Sequence, residues 1–473
     1  MGGDEVPLLQ PSEDPLRCRI MKELNLSWQI VLPGTVFRLS LFGCVVVTQM
    51  FLGHESSIVL SAFAVVQTVI YRFVNGITIG MSSATETLCG QAFGAGQHHM
   101  LGIYLQRSWV VNVAVVTLCM PLFIFSKQIL NAIGQNDAVA AESGVISLWF
   151  IPFIYAFVFI FSCQMFLQSQ MKNHFVGWVT VPALVLHAIA SYILVITLDM
   201  GVAGAMSPLI IAQWIIVIGL FVYIFGGWCT DTWKGLTAAA FANLWPMIKL
   251  SVSSAIVVCL EIWYNSIIVL AAGYMVDADV QISAFSICLN INSLQLMACL
   301  GFFTTASVRV SNELGRGEAE AAKFAMRVNV VASAIIGLLS SALYLLFEKQ
   351  IASLFSNDDE VLKTISGLAI PLAFSMLANS IQFVLYGITV GSGLQSLMLY
   401  VILGSYYVVG LPIGIALAFL TQLKTVGLWI GMLTGVWLLI IIATLLLWRN
   451  DWDEEVAKAS KRLEKFYMED NHG

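Results

Sequence analysis

The amino-acid sequence predicts an all-α membrane protein, with twelve transmembrane helices in two six-helix lobes related by a pseudo-twofold axis along the membrane normal. Of its 473 residues, 59% are hydrophobic and 11% are charged, whereas roughly 25% are charged in a soluble domain. Apolar runs of the length that crosses a hydrocarbon core of about 30 Å recur along the whole chain. Two short motifs also recur in the same order in its second half.

The twelve apolar runs are predicted to be helices. Backbone amides find no water to bond within lipid, and the runs are too long and too unalternating for barrel strands. The predicted spans are 26–51, 59–82, 108–126, 145–166, 176–197, 206–226, 246–273, 283–306, 327–347, 367–391, 397–420 and 426–448.

Basic residues orient these spans. With a cytosolic amino terminus, fifteen of the 22 Lys and Arg residues fall on the cytosolic side, as the positive-inside rule requires. Both termini are therefore predicted to be cytosolic. The domains follow as a cytosolic tail (1–24), an N-lobe (25–227), a cytosolic linker (228–244), a C-lobe (245–448) and a cytosolic amphipathic tail (449–473).

The linker and the tail carry apolar residues at helical spacing, and both are predicted to lie in the membrane interface. In the linker these residues are Trp233, Leu236, Ala240 and Phe241, and in the tail they are Trp452, Val456, Ala459, Leu463 and Phe466.

The recurring motifs indicate an internal duplication. Gly80, followed by Gly94-Ala95-Gly96, matches Gly301, followed by Gly315-Arg316-Gly317, and Ser61-Ala62-Phe63 recurs as Ser283-Ala284-Phe285. Six spans separate the copies. Because six is even, the two halves share one orientation in the membrane.

Composition excludes several classes of protein. A net charge of −6 gives neither a nucleic-acid surface nor a polybasic anchor. The nine cysteines are scattered singly, so neither a metal site nor a disulfide framework is predicted. No nucleophile–base pair emerges, and we expect neither an enzyme nor a cofactor.

Charged groups inside the spans are the functional candidates, because each costs about 2.5 kcal/mol or more in lipid unless it is paired or hydrated. They are Arg38, Arg72, Lys249 and Glu261. Lys249 lies near its helix end and can reach the surface. Glu261 lies at mid-span. Burial disfavours its charged form, so Glu261 is predicted to exchange protons.

Polar residues surround Glu261 in the predicted C-lobe. They form either a substrate or proton network, or a buried network that only ties helices together. Tyr264 and Asn265 share its helical face, and the eighth and tenth spans add Asn290, Asn292, Gln295, Asn379 and Gln382.

The predicted N-lobe cavity has a polar stripe of Gln67, Tyr71 and Asn75, with Arg72 beside it and Gln49 late in the first span. No carboxylate is expected at membrane depth there. Arg38 and Arg72 either attract an anionic or phenolic substrate, or pair with Glu86 or with helix carbonyls. The sequence leaves both alternatives open.

Three segments resemble signature motifs of plant members of the multidrug and toxic compound extrusion family. They are Gly90-Gln91-Ala92-Phe93-Gly94-Ala95-Gly96, Cys259-Leu260-Glu261-Ile262-Trp263-Tyr264 and Ser307-Val308-Arg309-Val310-Ser311-Asn312-Glu313-Leu314-Gly315. The stretch Tyr406-Tyr407-Val408-Val409-Gly410-Leu411-Pro412-Ile413-Gly414 resembles the branch that includes transparent-testa flavonoid transporters.

The resemblance implies a monomeric, proton-coupled antiporter that exports or sequesters organic solutes by alternating access, in the vacuolar or the plasma membrane. Such solutes include flavonoid glycosides and alkaloids. Glu261 matches the family's protonated carboxylate, whereas Asn379 stands where many plant relatives carry a second acid. The coupling ion is then the proton, and the lipid bilayer and a small organic solute are the expected partners. A lipid-linked precursor flippase and an uncoupled channel or receptor remain as alternatives.

Overall fold

The computed structural model describes residues 15–242, 244–272, 278–354, 359–421 and 423–470. Within these residues, twelve helices are long and apolar enough to cross a membrane, as predicted. They are α1 Leu16–Glu55, α2 Ser57–Gly94, α3 His98–Ile124, α4 Asp137–Ser169, α5 His174–Thr197, α6 Gly201–Trp228, α7 Leu244–Ala272, α8 Ala278–Arg316, α9 Ala319–Leu346, α10 Asp359–Ser392, α11 Gln395–Leu420 and α12 Lys424–Arg449. A thirteenth helix, α13, spans Trp452–Asp470.

The helices form two lobes, each with its own apolar core. One core contains residues of the first half, from Phe37 to Cys229, together with Met247 of α7 and Leu463 of α13. The other contains residues of the second half, from Leu260 to Leu447, together with Val31 of α1 and Trp452 and Ala459 of α13. The predicted two-lobe fold is confirmed, and α13 packs against both lobes.

The duplicated glycine motifs have the same local structure. Gly96 and Gly317 follow the ends of α2 and α8 with φ angles of 73° and 86°, in the left-handed region that glycine adopts without steric cost. These two glycines therefore end equivalent helices at equivalent points of the repeat.

The same two helices cross tightly at one end of the bundle. A Cβ atom on Gly94 would overlap the carbonyl oxygen of Asn312, and one on Gly315 would overlap that of Gln91. Asn312 and Gln91 each stand three residues before the glycine of their own half, so the crossing is symmetric. We call this region, with Gly90, Gln91 and Gly94 of α2 against Ser311, Asn312 and Gly315 of α8, the closed end.

A buried ion cluster lies beside the closed end and ties α1 to α8. Arg309 donates from Nε to Glu23 Oε1 at 2.8 Å, and from Nη2 to Glu23 Oε2 at 3.0 Å and Glu313 Oε1 at 2.6 Å. Arg316 donates to the other oxygen of Glu313 at 3.1 Å. Glu23, Arg309 and Glu313 are fully buried, so their charges depend on one another for compensation.

Two segments differ from the sequence expectation. The linker forms only a short 3₁₀ helix, Ala238–Phe241, and Leu236 and Phe241 are exposed while Ala240 is buried. The predicted single apolar helical face is wrong, because Gly235 takes a φ of 99° and interrupts the helix. In addition, α1 begins at Leu16, within the segment predicted as a tail.

Replacing Arg309 with Met should destabilise the protein by about 3–5 kcal/mol, because Glu23 and Glu313 would be left buried without their shared partner. The unfolding midpoint in detergent, followed by tryptophan fluorescence, measures this loss. Lys323→Met is the matched control. Its partner Glu320 is 81% exposed, so the midpoint should change little. Equal shifts for the two variants would contradict a structural role for the cluster.

Candidate functional site

A cavity of about 400 Å³ lies between the lobes and is lined by α1, α2, α4, α7, α8, α10 and α11. Its wall is mainly apolar and aromatic, as is usual for sites that bind small organic molecules. The charged side chains among its described lining residues are Arg38, Glu86 and Glu261. The aromatic ones are Phe42, Tyr71, Phe157, Phe161, Phe303, Phe383 and Tyr386.

Glu261 reaches this cavity from the interior of α7. It follows Leu244, the first residue of α7, by seventeen positions, a distance of roughly 25 Å along the helix axis. Gln382 of α10, itself buried, donates from Nε2 to Glu261 Oε1 at 3.1 Å. Among the described residues, no cation lies within ion-pair distance of the Glu261 carboxyl group.

The neighbours of Glu261 on α7 serve other contacts. Asn265 donates to the Glu261 backbone carbonyl at 2.9 Å. Tyr264 stacks on Tyr406 of α11, with 4.5 Å between ring centroids, and Tyr407 donates its hydroxyl to the Leu260 carbonyl at 2.7 Å. These contacts hold α7 against α11, and neither Tyr264 nor Asn265 lines the cavity.

Most of the predicted amides join α8 to α10 away from the cavity lining. Gln295 donates to Ser380 Oγ at 2.8 Å and to the Met376 carbonyl at 3.2 Å. Asn379 donates to Asn292 at 3.0 Å. These contacts correspond to the alternative of a polar network that ties helices together. Asn290 is exposed and joins neither group.

Four of the predicted N-lobe residues line the cavity, namely Arg38, Gln67, Tyr71 and Asn75. Gln49 and Arg72 do not, and Arg72 is exposed. Arg38 donates to Thr304 Oγ1 on α8 at 2.6 Å and to the Gly34 carbonyl at 3.1 Å. Its guanidinium is thus bonded to the other lobe and to a carbonyl of its own helix.

Glu86 is a cavity residue that the sequence analysis missed. The second span was predicted to end at residue 82, which left the first half without a carboxylate at membrane depth. That expectation is wrong because α2 continues to Gly94 and places Glu86, fully buried, in the cavity wall. The available signal was the run 82–89, which contains neither proline nor glycine and so gives no reason for the helix to stop.

The chain resembles known proteins over nearly its whole length. The MatE family profile matches residues 35–193 and 253–416, one segment in each half. Protein DETOXIFICATION 24 of Arabidopsis thaliana is 46% identical over 448 residues, 95% of this chain and 90% of the relative. Protein DETOXIFICATION 25 of the same organism is also 46% identical, over 96% of this chain and 91% of the relative.

Solved structures resemble it as well. The eukaryotic MATE transporter AtDTX14 superposes with a TM-score of 0.88 at 27% identity, over 94% of this chain and 99% of that one. The Vibrio cholerae MATE transporter VcmN in its bent form gives 0.80 at 18% identity, over 93% and 99% of the two chains. The latter likeness concerns the fold alone.

Substitutions should separate the amides that tie helices from the acid in the cavity wall. Gln295→Leu should lower the unfolding midpoint in detergent, since Ser380 and the Met376 carbonyl lose a donor and each such bond is worth up to about 1.7 kcal/mol in a membrane. Glu261→Gln should leave the midpoint unchanged or raise it, because a neutral amide still accepts from Gln382. A larger loss of stability for Glu261→Gln than for Gln295→Leu would make Glu261 a structural residue.

Proposed function

The chain belongs to the MatE family of membrane transporters, and from this premise we propose that it is a secondary active antiporter that exchanges organic solutes for protons. It is a transporter and not an enzyme. We infer that it works as a monomer by alternating access to the cavity between its lobes, and that protons are its coupling ion.

Glu261 carries this proposal. Its carboxyl group lines the cavity, accepts from a neutral amide and has no cation beside it among the described residues. Because a carboxylate without a contacting cation is costly inside the membrane, the Glu261 carboxyl group takes up a proton when the cavity faces an acidic compartment. Protonation alters its bond with Gln382 and favours solute release there. Loss of the proton toward the cytosol restores solute affinity, and this coupling requires that proton and solute prefer different states.

The chemistry of the lining bears on the solute. Two carboxyl groups and one arginine line the cavity, and that arginine already donates to Thr304 and Gly34. With aromatic walls around them, the carboxyl groups suit an amphipathic amine such as an alkaloid better than an anionic phenol. A lining with two carboxyl groups and one arginine also argues against a flippase of lipid-linked precursors, because the cavity of such a flippase should be more cationic.

Glu261→Gln should abolish proton-driven uptake, because an amide cannot carry the coupling proton. We would reconstitute the protein in liposomes with an acidic lumen and measure accumulation of radiolabelled tetraethylammonium, with quercetin glucoside tested in parallel. We expect the variant to fall at least tenfold, to the level without a gradient. Glu142→Gln, at the start of α4 and outside the cavity lining, is the matched control. Normal uptake by the Glu261 variant would rule out its role, and wild-type flux indifferent to the gradient would indicate a channel.

We further propose that the protein lies in the vacuolar membrane with both termini in the cytosol. The excess of basic residues on one side supports this orientation. A fluorescent protein fused to either terminus should be digested when protease is added to intact vacuoles. Asn25, which begins the glycosylation sequon Asn25-Leu26-Ser27, should carry no glycan. Protection of either fusion from the protease would contradict the orientation. Absence of the fusion protein from isolated vacuolar membranes would contradict the location.

A further inference from the structure

Glu86 gives the cavity a second acid, contributed by the opposite lobe from Glu261. It stands four residues before Gly90, the nearest residue of the closed end on α2, or about 6 Å away along the helix axis. Its side chain is fully buried. The cavity therefore has one acid within α7 and another just inside the closed end.

The groups around Glu86 compensate its charge poorly. The groups that act on it from neighbouring helices are Arg38 of α1, Gln168 of α4 and Ser307 of α8, and the other titratable groups of the same cavity lining are Tyr71 of α2, Glu261 of α7 and Tyr386 of α10. Ser307 and Gln168 are close enough to act on the carboxyl group, yet neither carboxylate oxygen accepts a hydrogen bond of standard geometry. Arg38 attracts it without making an ion pair within 4 Å and donates instead to Thr304 and Gly34.

Glu313 provides the contrast within the same region. It is as deeply buried as Glu86, but Arg309 and Arg316 contact its two oxygens at 2.6 and 3.1 Å. A buried carboxylate between two arginines stays charged, whereas one without a contacting cation is more stable with a proton bound. Burial is equal in the two cases, and the difference lies in the partners.

Glu86 stays shielded from water only while the two lobes remain in contact at the closed end. The next residue, Thr87, donates to the Val390 carbonyl of α10 at 2.6 Å and accepts from Gln395 at 3.1 Å. One turn further, Gln91 donates to the Gly391 carbonyl at 3.1 Å. These bonds join α2 of one lobe to α10 and α11 of the other. If the lobes part here, water reaches Glu86.

We propose that Glu86 is a second proton-binding group of the transporter, protonated while the closed end is closed and deprotonated when the lobes part there. The inference rests on the proposed proton antiport. When the closed end opens, the carboxylic O–H bond breaks and the proton passes to water; on closure the carboxylate takes one back. When both acids are protonated, the charge of Arg38 gives the cavity lining a net charge of +1. When both acids are ionised, the net charge of the lining is −1. Proton binding thus repels an organic cation and proton release attracts it.

Infrared difference spectroscopy of the reconstituted protein tests this directly. Protonated carboxyl groups have a C=O stretching band that carboxylates lack, and exposed acids remain ionised between about pH 5 and pH 8. We expect two titrating acids in the wild type. Glu86→Gln should remove one component and Glu261→Gln the other, while Glu313→Gln should remove neither because Arg309 and Arg316 contact both oxygens of the Glu313 carboxyl group.

The outcomes distinguish the two proposals. An unchanged band in Glu86→Gln overturns this inference, whether Glu86 is a permanent counter-ion of Arg38 or is always protonated. An unchanged band in Glu261→Gln overturns the proposed antiport mechanism instead. Glu86→Asp should restore the missing component and so exclude a folding defect as its cause.

The proton stoichiometry gives a second measurement that needs no Glu86 variant to fold. At zero membrane potential, the logarithm of the tetraethylammonium accumulation ratio should rise with the imposed pH difference with a slope of two in the wild type. A slope of one in the wild type overturns the inference, and a slope of zero overturns the antiport. Where Glu86→Gln folds, its slope should be one.

Discussion

The structure depends on how each buried charge is compensated, because lipid and packed helices offer no water to do so. Arg309 is ion-paired with Glu23 on α1 and with Glu313 on its own helix, and these pairs connect α1 to α8 near the closed end. Among the residues that the structure describes, Glu261 has only a neutral amide as its donor, and the carboxyl oxygens of Glu86 accept no hydrogen bond of standard geometry. Paired charges hold helices together, and poorly paired acids are left able to exchange protons.

Much of the fold could be predicted from the sequence because its causes are local in the chain. Apolar runs give the spans by their length alone, and the repeated glycines Gly96 and Gly317 end two helices in the same conformation. Helix ends were less predictable. Hydropathy falls at residue 82 because the following turns face protein rather than lipid, so the sequence placed Glu86 outside the membrane while α2 continues to Gly94.

The site was predicted less completely because its composition depends on which helix faces meet. Glu261 could be identified from its depth alone. Gln382 and Asn379 are both polar residues of the same helix, yet Gln382 reaches Glu261 while Asn379 bonds to Asn292 on α8. Arg38 and Arg72 likewise differ only in direction, one into the cavity and one outward. Helical periodicity does not specify these directions until the packing partners are known.

The duplication gives the two sides of the closed end the same backbone conformation but different side chains at equivalent positions. In the alignment that pairs Gly94 with Gly315, Glu86 corresponds to Ser307 and Leu88 to Arg309. Ser307 lies close enough to Glu86 to act on its carboxyl group, and at such a pair of positions two acids would repel each other and two serines would carry no proton. The ion cluster pairs Arg309 and Glu313 of α8 with Glu23 of α1, whereas the unpaired acid lies on α2. Both halves therefore contribute bonds that close this end, but only the first half contributes a group whose charge changes when it opens.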